Sequence, residues 1–188
     1  MTAPGSAHRP RTLLYGVLVG IGAVGTLDEL VLHQVLDWHH FLDLSIREGG
    51  PVDDRVRSVG LLADGVFHLV SSLLLAVGLV GVWRDGRRPF HGWARRFWAG
   101  IAIGFGGFNL YDATIQHKVL RLHEVRRGVE DLVVYDLAFG GVAVLVLITG
   151  VVLLRGAPTP RRSADQPRGG SLIRSASSLM SRNRGRSL

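Results

Sequence analysis

Cysteine is absent from the 188 residues, and all but one of the 22 basic residues are arginine. Without Cys there are no disulfides, no thiolate-bound zinc, no iron–sulfur cluster and no thiol catalysis. Any metal chemistry must draw on the 8 His and 15 Asp and Glu. Proline is scarce as well. None of its 7 copies falls inside the long apolar runs, and no Lys or Arg lies well inside them. No nucleophilic triad and no phosphate-binding loop can be found. Gly104-x-Gly106-Gly107 sits within an apolar run and follows no strand, so it is not a dinucleotide fingerprint.

What is present is apolar residue, 47% of the chain, together with 25 Gly. Four runs, at about residues 13–36, 58–82, 94–118 and 132–154, are each close to the ~20 residues that cross a bilayer. Arg9 and Arg11 precede the first, as in a signal peptide. That run is too long for one and carries Asp28 and Glu29, so it reads as a retained helix. The net charge of +7 at first suggests nucleic acid, but the charges do not form one patch. Basic excess collects on both termini and on the loop after the second run, which predicts that these are cytoplasmic. Trp38, Trp83, Trp93 and Trp98 fall at run ends, where an interfacial belt places them. Residues 1–12 read as a cytoplasmic tail and 13–155 as the membrane domain. Residues 156–188, rich in Arg, Ser, Gly and Pro, read as a disordered basic cytoplasmic tail.

The first and third runs align without a gap at an offset of 84 residues. Gly16, Gly20, Gly22, Asp28, His33, Val35, Leu36 and His39 match Gly100, Gly104, Gly106, Asp112, His117, Val119, Leu120 and His123. The second and fourth runs echo each other more weakly, through Asp64-x2-Phe67 and Asp136-x2-Phe139. The expected fold is all-α: an integral membrane four-helix bundle made of two helix pairs related by an axis along the membrane normal. The Gly-x3-Gly pairs would pack its cytoplasmic end closely.

The polar residues of the runs gather at the opposite end. At 1.5 Å rise per residue, Asp28 lies about 12 Å inside the end of its run, and Asp64 and Asp112 about 9 Å inside theirs. Glu29 with His33, and Asp64 with His68, are i, i+4 and share a helix face. Asp112 and His117 are i, i+5, about 140° apart on an α-helix, so Asp112 with Gln116 is the better same-face pair. Acids inside a membrane are costly, and no Lys or Arg in the runs neutralises these. A carboxylate beside an imidazole at low dielectric marks a metal site with supporting carboxylates, or a proton relay.

The segments Asp28–His40 (DELVLHQVLDWHH), Asp64–His68 (DGVFH) and Gly107–Arg126 (GFNLYDATIQHKVLRLHEVR) resemble the bacterial predicted membrane proteins grouped as domain of unknown function 2243. The resemblance covers about residues 12–155. Glu29 departs from the family pattern, in which Gly follows this Asp, and the resemblance leaves Asp28 as the acid. The family brings no established activity. An association with cytochrome oxidase assembly, implied by the resemblance alone, favours copper or haem handling.

The chain is thus expected in the bacterial plasma membrane, holding a transition metal in an outer-leaflet His/Asp cluster for metal delivery or a redox step. His33, His68 and His117 are the expected core ligands. Asp28, Asp64 and Asp112 would ligate or orient them, and His39, His40 and His123 would line the access path. Cu, Zn, Fe and Mn are not distinguished by such donors. Haem between His33 and His117 ranks lower, since Asp at the matching positions crowds it. A proton or cation transporter using the same cluster is a second reading. A structural subunit of a membrane complex, or of a homo-oligomer, is a third. The lipid bilayer is the expected partner, and nucleic acid is not.

Overall fold

The computed structural model describes residues 11–45, 51, 53–87 and 91–157. Helix α1 (Thr12–Asp28) runs directly into a π-helical segment, π1 (Glu29–Val35). Helix α2 spans Asp54–Gly86. Helix α3 (Trp93–Tyr111) runs into a second π-helical segment, π2 (Asp112–Val119), and α4 spans Val133–Arg155. There is no strand among the described residues. The two expected tails, 1–12 and 156–188, lie almost wholly outside the described residues.

The helix starts follow local chemistry. Asp53 caps α2 by accepting a hydrogen bond from the Val56 N–H at 2.9 Å, and Asp54 in the first turn complements the helix dipole. Gly92, at φ 84°, supplies the left-handed residue that precedes α3. Asp131 accepts from the Val133 N–H at the start of α4.

Three stretches are long and apolar enough to cross a membrane: Thr12–Val35, Asp54–Gly86 and Val133–Arg155. The third expected run, 94–118, also forms a continuous helix, 19 residues of α3 and then 8 of π2, but it does not join them. Arg95 and Arg96 near its start, and Asn109, Asp112, Gln116 and His117 near its end, displace apolar side chains. Packing is inverted relative to a water-soluble domain. Leu62, Leu69, Leu73, Leu137 and Leu145 are each more than half exposed, while the buried positions of α2 and α4 are largely Gly, Ala, Ser and Asp. Lipid solvates such an apolar exterior and water does not.

Helix α1 packs against α2 and against α3, and α3 packs against α4. Small residues make these contacts close. A Cβ at Gly16 would lie 2.5 Å from the Phe97 carbonyl oxygen, and one at Gly100 would lie 2.5 Å from that of Leu13. Gly20 and Gly104 approach the carbonyls of Ile101 and Val17 more closely still. Towards the flanking helices, a Cβ at Gly22 would lie 2.6 Å from the Ser71 carbonyl oxygen and one at Gly106 would lie 2.7 Å from that of Ala143.

The opposite end is closed by the connections after π1 and π2. Asp37 and Arg121, at φ 49° and 50°, take the left-handed conformation that non-glycine residues adopt rarely. They turn the chain so that each connection pairs with the other. The Asp43 N–H donates to the Leu122 carbonyl, and the Arg127 N–H to that of Trp38, both at 2.8 Å.

Candidate metal centre

The two π-helical segments begin at the acids of the cluster, Glu29 in π1 and Asp112 in π2. Hydrogen bonds from Leu36 N to Val31 O and from Leu120 N to Ile115 O span five residues instead of four. A turn widened in this way brings residues i and i+5 over one another, and such turns recur at functional sites. The expectation that Asp112 and His117 are poorly placed, with Gln116 the better partner of Asp112, is therefore corrected. His117 Nε2 lies 3.1 Å from Asp112 Oδ2, and His33 Nε2 lies 3.5 Å from Asp28 Oδ2.

Two groups of donors result, Asp28–His33–His39 and Asp112–His117–His123, each with its ligand atoms within 4.8 Å of one another. His39 and His123 come from the connections. They are buried among the other rings, at 2% and 1% exposure, where an access path had been expected. Their rings stack in parallel, 4.7 Å apart and 7° from coplanar. His33 stands edge-on to His39 at 4.5 Å, and His117 to His123 at 4.6 Å.

Hydrogen bonds fix which nitrogen faces the centre. His39 Nδ1 donates to the Val125 carbonyl, and His123 Nδ1 to the Phe41 carbonyl, both at 2.9 Å. His33 Nδ1 donates to Glu29 Oε2 at 2.7 Å, with Asp64 Oδ1 a further 3.2 Å contact. The Nε2 atoms of His33, His39, His117 and His123 are all buried without a hydrogen-bond partner. Buried polar atoms are normally hydrogen-bonded; here three of the four have only a carboxylate oxygen nearby, Asp28 beside His33 and Asp112 beside His117 and His123, at 3.1–3.5 Å. Burial, with the His123 and His33 rings beside it, holds the His39 imidazole well below its ordinary pKa. It is therefore neutral at neutral pH and offers a lone pair.

The other expected residues fall around this core. Asp64 is buried and saturated: Oδ1 accepts from the Phe41 N–H, and Oδ2 pairs with His40 Nδ1, both at 2.7 Å. Asp64 and His40 thus brace the connection, and Asp64 also contacts His33. Glu29, Asp64 and His33 form a third close group. His68 is exposed and belongs to none of these groups. At ~100° per residue, Gly60, Phe67, Ser71 and Gly78 lie to one side of Asp64 and His68 lies to the other, at the edge of the inward face. Glu29, which the resemblance set aside, is 3% exposed and holds His33. Its i, i+4 spacing to His33 was the signal.

The family described as predicted membrane protein (DUF2243) matches residues 15–157, and the chain belongs to it. No curated protein matches, and no solved structure does.

Proposed function

Taking the chain as a DUF2243 membrane protein, we propose that it binds a transition metal through the His and Asp residues at the end of α1 and α3. The observation that carries this reading is the set of four buried Nε2 atoms on His33, His39, His117 and His123, none of them hydrogen-bonded, grouped with the carboxylates of Asp28 and Asp112. Backbone carbonyls hold His39 and His123 in one tautomer, as supporting hydrogen bonds do for metal-bound imidazoles. A site of this kind serves metal delivery or a metal-dependent redox step.

Bare ions suit the donors better than haem. Each group packs three donors within 4.8 Å, the spacing of atoms around one ion, whereas an axial haem ligand needs a free plane above it. Among the described residues, close glycine contacts of α1 with α3 occupy the other end, which disfavours a transporter.

The proposed architecture is two helix pairs related by a pseudo-two-fold axis. Contacts that correspond at an offset of 84 support it: Gly16 to Phe97 with Gly100 to Leu13, and His39 to Val125 with His123 to Phe41. All four helices would span the bacterial plasma membrane, with arginine-rich termini in the cytoplasm and the His cluster in the outer leaflet.

The test is elemental analysis of the full chain purified in detergent, as isolated and after loading with Cu, Zn, Fe or Mn salts. Stoichiometric metal and no Soret band are expected. A protein that carries no transition metal and takes none up overturns the reading.

A further inference from the structure

The two donor groups are alike in their cores and unlike in what surrounds them. Each draws its three donors from one half of the chain: Asp28, His33 and His39 precede α2, and Asp112, His117 and His123 follow it. In the first, Glu29 and Asp64 both contact His33 Nδ1. In the second, the residue at the offset of 84 from Glu29 is Ala113, and Asp136 is engaged by Lys118. His117 Nδ1 is left buried with no partner.

Charge argues for the number of ions. Asp28, Glu29, Asp64 and Asp112 line the cluster and have His rings, the Phe41 N–H and the Gln34 amide as partners. The cations nearby are committed elsewhere, Lys118 to Asp136 and Arg127 to Asp37 and Asp43. With every imidazole neutral, as a metal ligand requires, one divalent ion would leave about two of the four carboxylate charges uncompensated in a low-dielectric end, while two divalent ions would balance them.

We infer that the cluster holds two divalent ions, one in each group, and that the Asp28–His33–His39 group binds the tighter. This rests on the metal reading above and adds to it the stoichiometry and the order of filling. The carboxylate on His33 Nδ1 makes its Nε2 a stronger donor, an aid that His117 lacks. The two sites also depend on each other's backbone. Val125 holds the first group's His39, and Phe41 holds the second group's His123.

The test uses the full chain in detergent, stripped with chelator and titrated with Co(II) and with Zn(II). Bound metal is counted by elemental analysis, and Co(II) ligand-field bands follow each step. Two ions per chain in two resolved steps are expected. His117→Ala should remove the weaker step alone, and His33→Ala the tighter. Glu29→Gln, which leaves the fold's packing intact, should weaken the tighter step about tenfold to hundredfold and keep the count at two. One ion per chain in the unaltered protein, abolished equally by His33→Ala and His117→Ala, would mean a single shared site and overturn the inference while the metal reading stands. Equal steps unmoved by Glu29→Gln would overturn the order of filling. No bound ion at all would overturn both.

Discussion

Helices α1 and α3 meet at both of their ends, and the two meetings are built on opposite principles. At the glycine end, backbone touches backbone. Gly16, Gly20, Gly100 and Gly104 bring helix surfaces so close that a single methyl group would strike a carbonyl oxygen. At the histidine end, the same helices widen into π turns, and side chains from two connections fill the space between them. The first end can be specified by small residues alone, and it tolerates nothing larger. The second leaves four buried nitrogens without a hydrogen bond, a cost that apolar packing does not offset. Close packing at one end supplies a rigid base from which an unsatisfied polar site at the other can be held in place.

The sharpest way to break this contrast is to add bulk at the glycine end. Gly104→Leu drives a side chain into the Val17 backbone, which has no rotamer with which to yield. Folded protein in detergent should be lost, as seen by size-exclusion profile and helical circular dichroism. Gly104→Ala should cost roughly 1–3 kcal/mol in thermal or denaturant unfolding. A Gly104→Leu chain with an unchanged melting profile would show that the close contact does not hold the helices together.

At the histidine end the expected response is to ligand. If the cluster binds metal as proposed, loading should stabilise the fold by about 2.7 kcal/mol for each site held at a free concentration 100 times its Kd, because the unfolded chain has no assembled site. Thermal unfolding with and without Zn(II) measures this. Asp28→Asn together with Asp112→Asn should abolish the shift and leave the stripped protein's melting temperature near or above its original value, since one buried and one half-buried charge are removed. A Zn(II)-induced shift that survives in that double variant would place the ion elsewhere.

How far these two ends could be read from sequence differs for a physical reason. The glycine spacing on α1 and α3 follows the ordinary helical period, so Gly16-x3-Gly20 and Gly100-x3-Gly104 point to one face by counting alone. The depth of Asp28, Asp64 and Asp112 follows from rise per residue in the same way. The pairing within the cluster does not, because it depends on a change of period. Counted at 100° per residue, Asp112 and His117 diverge, yet in the π turn they lie 3.1 Å apart. Nor does local counting reveal that His39 and His123 become the centre. Their placement depends on the left-handed turns at Asp37 and Arg121 and on hydrogen bonds between residues more than 80 positions apart.

A gentler probe compares two adjacent glycines on α3. Gly106 faces the Ala143 carbonyl and the Leu147 amide, while a Cβ on Gly107 would have nothing within 4 Å. Gly107→Ala should stabilise by about 0.5–1 kcal/mol through helix propensity, and Gly106→Ala should destabilise. Equal effects of the two, measured by thermal unfolding in the same detergent, would mean that the α3–α4 contact is looser than its geometry.

The smallest expected effect tests where the polar end stops. Asp64 and His68 share the spacing of Glu29 and His33, and by sequence alone His68 has the same claim to the cluster as His33. It differs in being exposed at the edge of the inward face of α2, with no donor group including it. His68→Ala should therefore leave Zn(II) stoichiometry, the order of filling and the ligand-induced shift in unfolding unchanged, while His33→Ala alters all three. Loss of bound Zn(II) in His68→Ala would require α2 to rotate its edge toward the centre. It would also mean that Asp64, which here braces Phe41 and His40, is itself drawn in as a ligand.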